Sequence, residues 1–400
     1  MKKKIGTWLL FSLLTGALGG LIGVAFYKSV ALATHFRETY DWLLWLLPVA
    51  GVLIALMYRL TGMEGVGTNA ILDSVHTGRP VPLALVPTIF ASTVLTHLCG
   101  GSAGREGAAL QIGGGVASGV ARLFRLDAKS TRVATVCGMS ALFSALFGTP
   151  LAATLFAMEV ASVGLMPNAC LAPGLISALT SFGVTSLFSV PPTRFAVAMP
   201  ALTLALTWRV ALLGALCAVV SVLFCVALRQ AERWAERRLP NALLRAATGG
   251  ALLIGLALLL GTRDFNGAGV AGIKAALEDG VARPDAFFWK IVFTAVTIAC
   301  GFRGGEVVPS FFIGATLGCA VGPLLGLPAG FAAALGLVAV FCGAVNCPVA
   351  SIALSVELFG SNELVCFALV CAVSYLLSGH FGLYSSQRLV SGAFSTESFD

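Results

Sequence analysis

Gly138 to Glu159 reads GMSALFSALFGTPLAATLFAME, and Gly336 to Glu357 reads GLVAVFCGAVNCPVASIALSVE. Pro150 falls opposite Pro348 and Glu159 opposite Glu357 at one constant offset. Upstream of each copy a glycine-rich block recurs: Gly104 to Gly113 (GREGAALQIG) matches Gly304 to Gly314 (GGEVVPSFFIG) with one inserted residue. Further upstream, Gly65 to Leu72 (GVGTNAIL) is echoed more weakly by Gly267 to Lys274 (GAGVAGIK). Three blocks in one order point to an internal repeat, and internal repeats are a signature of membrane transporters. The expected division is residues 1–200 and 201–400, with no soluble regulatory domain after the last block.

Composition sets the solvent of this repeat. Apolar residues make up 58% of the chain and charged residues 11%, against roughly 45–50% and 25% in soluble domains, so the fold is read as bilayer-embedded. Apolar runs such as Trp8 to Phe26, Ala201 to Leu228 and Leu243 to Leu260 approach or exceed the roughly 20 residues of a spanning helix. Because these are continuous runs rather than alternating ones, the expectation is an all-α polytopic membrane protein and not a barrel. Lys2 to Lys4 precede an apolar segment without a small-residue cleavage site leading into a soluble region, so the segment is read as retained.

Charge gives an orientation. Lys2 to Lys4 and the cluster Arg229, Arg233, Arg237, Arg238 and Arg245 both belong on the cytoplasmic side by the positive-inside rule. The first span then runs outward to about His35–Asp41, while Ala201 to Leu228 must run inward to its arginines. The halves enter the membrane from opposite faces, which is an inverted-topology repeat. Arginines at the end of an apolar helix argue against a nucleic-acid partner. The eleven cysteines are scattered without a CxxC pair and read as small buried residues, with no disulfide or metal framework. His35, His76 and His380 are isolated and read as helix-end residues.

Chemistry is expected where glycines meet the start of an apolar helix. The first-turn N–H groups of a broken helix lack intrahelical partners and carry partial positive charge, so they can hold an anion without a cation. Gly104 to Gly107 and Gly304 to Pro309 are the candidates, against the alternative that such glycines serve only close packing. Four acids lie in apolar surroundings: Glu106, Glu159, Glu306 and Glu357. Glu159 and Glu357 occupy equivalent places and read as structural. Glu106 and Glu306 interrupt the glycine turns, where a carboxylate can compete with an anion or carry a proton. One rival class is visible: Gly100 to Gly104 (GGSAG) fits the hydrolase pattern G-x-S-x-G with His97 nearby, but that pattern needs a strand-turn-helix elbow.

With these residues identified, the chain resembles the CLC anion channels and transporters over about Gly6 to Val390. GSAGREGAALQIG matches that family's GREGP block, GGEVVPSFFIGATLG its GxFxP block, and Tyr384 in GLYSSQRL its central pore tyrosine. The departures point to the fluoride/proton antiporter branch: GVGTN (Gly65 to Asn69) lacks the serine and proline of GSGIP, and GEVVP (Gly305 to Pro309) places Glu306 where chloride members have an apolar residue. The resemblance implies a homodimer of inverted repeats with broken, re-entrant helices in the cell inner (plasma) membrane, both termini cytoplasmic. It implies no cofactor and no metal, only a lipid bilayer, fluoride (or chloride) and protons. Within it Glu106 is the gate and Glu306 an added essential acid. Gly67, Thr68, Asn69, Gly104, Arg105, Gly107, Val307, Phe312 and Tyr384 line the anion pathway. The expected function is proton-coupled fluoride export by a secondary transporter rather than an enzyme, with a chloride/proton antiporter or passive chloride channel as the alternative. The separate inner proton-transfer glutamate of chloride antiporters has no secure match here.

Overall fold

The computed structural model describes residues 2–163, 166–200 and 203–389. The expected boundary between 200 and 201 therefore adjoins residues outside the description, as do 390–400 of the tail. In the first part of the chain lie α1 (Lys2–Thr39), α2 (Leu47–Leu60), α3 (Thr68–Thr77), α4 (Leu85–Cys99), α5 (Glu106–Leu123), α6 (Ala128–Phe147), α7 (Pro150–Glu159) and α8 (Asn168–Leu187). The second part repeats the order: α9 (Leu204–Arg238), α10 (Ala242–Leu260), α11 (Val270–Lys274), α12 (Ala286–Ala299), α13 (Val307–Val321), α14 (Ala329–Val345), α15 (Pro348–Phe359) and α16 (Leu364–Ser378). The one sheet among the described residues is a parallel pair of two-residue strands, β1 (Ser162–Val163) and β2 (Arg388–Leu389). It ties Arg388–Leu389 to the segment after α7, and nothing in so short a stretch marks it in the sequence.

Among the described residues, 7 helical segments are long and apolar enough to cross a bilayer. α9 has 35 residues, about 52 Å at 1.5 Å per residue, longer than a ~30 Å hydrocarbon core. Its apolar run continues unbroken into the arginine-bearing turns, as the sequence reading of arginines at the end of an apolar helix expects. The remaining apolar helices, such as Leu85–Cys99 and Ala286–Ala299, have 10–17 residues, too few to span alone. These two are each followed by a break and a second helix, the broken pattern expected at both glycine blocks: α4 stops at Cys99 and α5 starts at Glu106, α12 stops at Ala299 and α13 starts at Val307.

The core is made of close helix pairs. In α5 against α6, a Cβ on Gly113 would strike the Gly138 carbonyl; in α13 against α14, a Cβ on Gly314 would strike that of Gly336. Only glycine allows backbones this near, and in lipid such contact is a main source of helix association. This packing makes α6 and α14 almost wholly buried and leaves α5 and α13 fixed by their flanks, with their N-termini pointing at one another.

Candidate ion-binding site

The two helix breaks meet at a pair of backbone hydrogen bonds. Gly104 N–H donates to Gly305 O at 2.6 Å and Gly305 N–H donates to Gly104 O at 2.8 Å, an isolated antiparallel bridge. The register follows from what surrounds it. Ser102 N–H donates to Thr297 Oγ1 at 3.0 Å and Arg303 N–H to Thr96 Oγ1 at 3.2 Å. Gly100 and Gly301 both take left-handed backbone (φ 94° and 90°) to turn out of α4 and α12. Each short helix thus braces the loop of the other segment. One constant offset relates Thr96 to Thr297, Gly100 to Gly301, Gly104 to Gly305 and Gly113 to Gly314, so the inserted residue expected from the sequence is not there: Gly104 is equivalent to Gly305, Arg105 to Glu306, and Glu106 to Val307.

Glu106 is therefore not the counterpart of Glu306. Glu106 is the first residue of α5, fully buried; Glu306 is the residue preceding α13. Glu106 Oε2 accepts from Arg105 N–H at 2.9 Å and, across the bridge, from Val308 N–H at 3.4 Å, while its Oε1 is buried without a hydrogen bond. The carboxylate occupies the first turn of α13, where the helix dipole and unmatched N–H groups favour negative charge. Neither Arg105 nor Glu306 caps its helix with its side chain. Glu306 Oε2 is buried without a hydrogen bond, and Glu106, Glu232 and Arg303 are within electrostatic reach of Glu306.

Sterics enforce the approach. A Cβ on Gly104 would strike Glu106 Oε2, and one on Gly107 would stand 3.0 Å from Gly304 O and 3.4 Å from Thr68 Oγ1. Gly67 precedes α3 and Thr68 opens it, with Gln111 Nε2 donating to Thr68 Oγ1 at 3.3 Å. Asn69 is exposed, and its Oδ1 accepts from Ser386 N–H at 3.1 Å, which draws the segment carrying Tyr384 beneath α3. Tyr384 is 6% exposed, its Oη makes no hydrogen bond, and both Glu306 and Glu106 are within its electrostatic reach. Arg105 lies over the Tyr27 ring (4.7 Å) and donates to Leu146 O at 3.2 Å; Val307 is fully buried at the start of α13.

Phe312 stands apart from this group. Its ring packs on Gly269 and Gly272, edge-on to Phe265 at 6.3 Å and 5.2 Å from Lys290 Nζ. It fills, toward α11, the place that Gln111 fills toward α3. Lys290 is fully buried and donates to Phe265 O at 3.1 Å and Gly267 O at 2.7 Å.

These features sit in a chain whose residues 50–379 match the sequence model of the voltage-gated chloride channel family. The chain belongs to the CLC family. A chloride/fluoride channel protein of Pseudomonas syringae pv. tomato is 38% identical over 96% of this chain and 87% of its own. An H(+)/Cl(-) exchange transporter ClcA of Cronobacter sakazakii is 30% identical over 95% of this chain and 89% of its own. The crystal structure of a CLC-type fluoride/proton antiporter superimposes with a TM-score of 0.94 at 32% identity, covering 97% of this chain and 99% of that one. This CLC chain is accordingly an all-helical, multi-pass membrane protein of a channel and transporter family.

The hydrolase pattern takes a different form in this fold. Ser102 Oγ pairs with Thr294 Oγ1 at 3.1 Å and His97 Nε2 lies 3.3 Å from Gly104 O, where it must donate. Serine and histidine are thus engaged separately, in a turn between two helices. The eleven cysteines are all free and buried. Sequence reasoning missed the threonine braces, although Thr96 and Thr297 share the offset of the glycine pair. It also missed Lys290, a cation inside an apolar helix that the rule on intramembrane charges should have flagged.

Proposed function

We propose that this CLC protein exports fluoride in exchange for protons, as a homodimer in the inner (plasma) membrane with both termini cytoplasmic. In this reading, residues 1–200 and 201–400 are inverted halves. Each subunit carries its own pathway: Gly67, Thr68, Asn69 and Tyr384 on the cytoplasmic side, then Gly104, Arg105, Gly107 and Val307 at the crossing. Phe312 belongs to the outward side, beyond the crossing. The carrying observation is Glu106, whose Oε2 accepts from Val308 N–H at the start of α13. A carboxylate there competes with an anion for the same donors, and protonation removes both its charge and its claim on them. Glu306, with a buried oxygen lacking a partner, is the second proton carrier, reached from the Glu232 side.

Fluoride is the smallest and most strongly hydrated halide, so its release from water needs close, strong donors, which converging backbone N–H groups provide. The similarity to the Pseudomonas chloride/fluoride channel protein and to the CLC-type fluoride/proton antiporter supports this choice. Chloride/proton exchange or passive conduction is the second reading, favoured by the ClcA relative. Liposomes loaded with either halide at matched gradients separate the two anions: fluoride efflux should exceed chloride efflux at least tenfold, a difference of about 1.4 kcal/mol. Equal or faster chloride efflux would transfer the assignment to the second reading.

A further inference from the structure

Lys290 is the only lysine or arginine among the described residues that is fully buried, and no salt bridge there includes it. An unpaired cation in an apolar helix is costly, which makes it a candidate for a role in the mechanism. Its ammonium has three N–H donors. Two are spent on the carbonyls of Phe265 and Gly267, and the Phe312 ring stands 5.2 Å away. The loop so held is fastened on its other face as well: Asn266 Nδ2 donates to Gly100 O at 2.7 Å and Gly267 N–H to Gly101 O at 3.1 Å. Gly267 thus joins Lys290 to the turn that leads into the Gly104–Gly305 bridge and Glu106. A Cβ on Gly269 would stand 2.6 Å from the Phe312 ring and 3.3 Å from Lys290 Nζ, so only glycine lets the start of α11 close over both.

The other half of the repeat lacks this fastening. The offset of 201 residues that relates Thr96 to Thr297 and Gly100 to Gly301 places Ile89 opposite Lys290, and Ile89 offers no donor. In the loop before α3, the N–H groups of Gly62, Met63 and Val66 donate to residues three to five positions earlier, and a Cβ on Gly62, Gly65 or Gly67 would meet nothing within 4 Å. Phe265, Asn266 and Gly267 are buried, whereas Gly62, Glu64 and Gly65 are exposed. We infer that Lys290 is a positioning residue for the outward half of the exchange: it holds the loop before α11 and the Phe312 ring in one arrangement, which sets how fluoride is received and released on the outer side. The inference rests on the transport reading and deepens it. Lys290 acts through Gly267 and Phe312 rather than on the ion, because its donors are already engaged.

Two variants test this: Lys290→Met, which keeps an unbranched side chain and removes every donor, and Lys290→Gln, which keeps two donors without the charge. Size exclusion checks that both remain monodisperse; if Lys290→Met does not, Lys290→Gln carries the same readouts with a smaller expected shift. In purified protein, deuterium exchange over residues 263–269 should be about tenfold faster in Lys290→Met than in the wild type and unchanged over residues 61–67, with Lys290→Gln between the two. In liposomes holding the protein in one orientation, Lys290→Met should raise the KM for fluoride about fivefold on the side away from the arginine-rich end of α9. The KM on the other side and the proton-to-fluoride ratio should stay at their wild-type values. Unaltered exchange over residues 263–269, or a KM raised equally on both sides, would overturn the positioning role, the second by showing general damage to the fold. Lys290→Gln as impaired in KM as Lys290→Met, with the loop still protected, would overturn it in favour of the charge itself. Absent fluoride flux in the wild type would refute the transport reading alone, since deuterium exchange judges the fastening independently.

Discussion

Four acids lie in apolar surroundings in this chain, and they form two pairs of opposite character. Glu159 accepts from Val349 N–H at 3.2 Å and Ala350 N–H at 2.8 Å, at the start of α15; Glu357 accepts from Leu151 N–H at 3.1 Å and Ala152 N–H at 2.8 Å, at the start of α7. Each carboxylate caps the helix of the other segment, with both oxygens engaged and the geometry repeated almost atom for atom. Glu106 and Glu306 break the symmetry by one residue, and each keeps a buried oxygen without a hydrogen bond. Symmetric acids are consumed by the architecture. Asymmetric ones retain acceptor capacity, which a proton or a competing anion needs.

The largest expected effect is on Glu106. Glu106→Gln, which mimics only the neutral acid, should reduce proton movement by about 100-fold or more, the scale of a lost proton-transfer group. Proton uptake by reconstituted protein measures it, and wild-type proton movement would remove Glu106 from the mechanism.

Glu306→Gln sharpens the contrast, because it keeps shape and hydrogen bonding but cannot titrate. Folded dimers on size exclusion with lost or altered exchange are expected. Intact coupled transport would move Glu306 into the structural pair.

For the symmetric pair the prediction reverses. Glu159→Gln and Glu357→Gln should each destabilise the fold by about 1–3 kcal/mol through loss of charge-assisted caps. The proton-to-anion ratio should be unaffected. Thermal unfolding should show equal shifts in the two variants, and a changed ratio in either would contradict the division drawn here.

The smallest effect concerns the braces. Thr297→Val removes the acceptor of the buried Ser102 N–H and Thr96→Val that of the half-buried Arg303 N–H, each costing about 1 kcal/mol. The two bonds are equivalent in position but not in burial, so Thr297→Val should cost at least as much as Thr96→Val, which unfolding curves can check.

Much of this arrangement is legible in the sequence because it is written twice. The repeated blocks locate both helix breaks, and Glu159 and Glu357 declare a shared role by sharing an offset. The sequence reading misplaces the register of the glycine blocks: setting Gly104 against Gly304 requires an inserted residue, whereas the Gly104–Gly305 bridge gives one offset throughout and no insertion. Phe312 illustrates a second limit. Its place in a matched motif says nothing about which side of the crossing its ring faces, and that is decided by the packing of α13 on Gly269 and Gly272.

Uphill proton movement tests the central claim most directly. Liposomes containing the wild-type protein, loaded with fluoride at equal internal and external pH and held at zero membrane potential, are diluted into fluoride-free buffer. Fluoride leaving down its gradient should draw protons inward, so that the lumen acidifies with no pH gradient to drive it. Fluoride efflux with an unchanging internal pH would contradict exchange and leave a passive pathway.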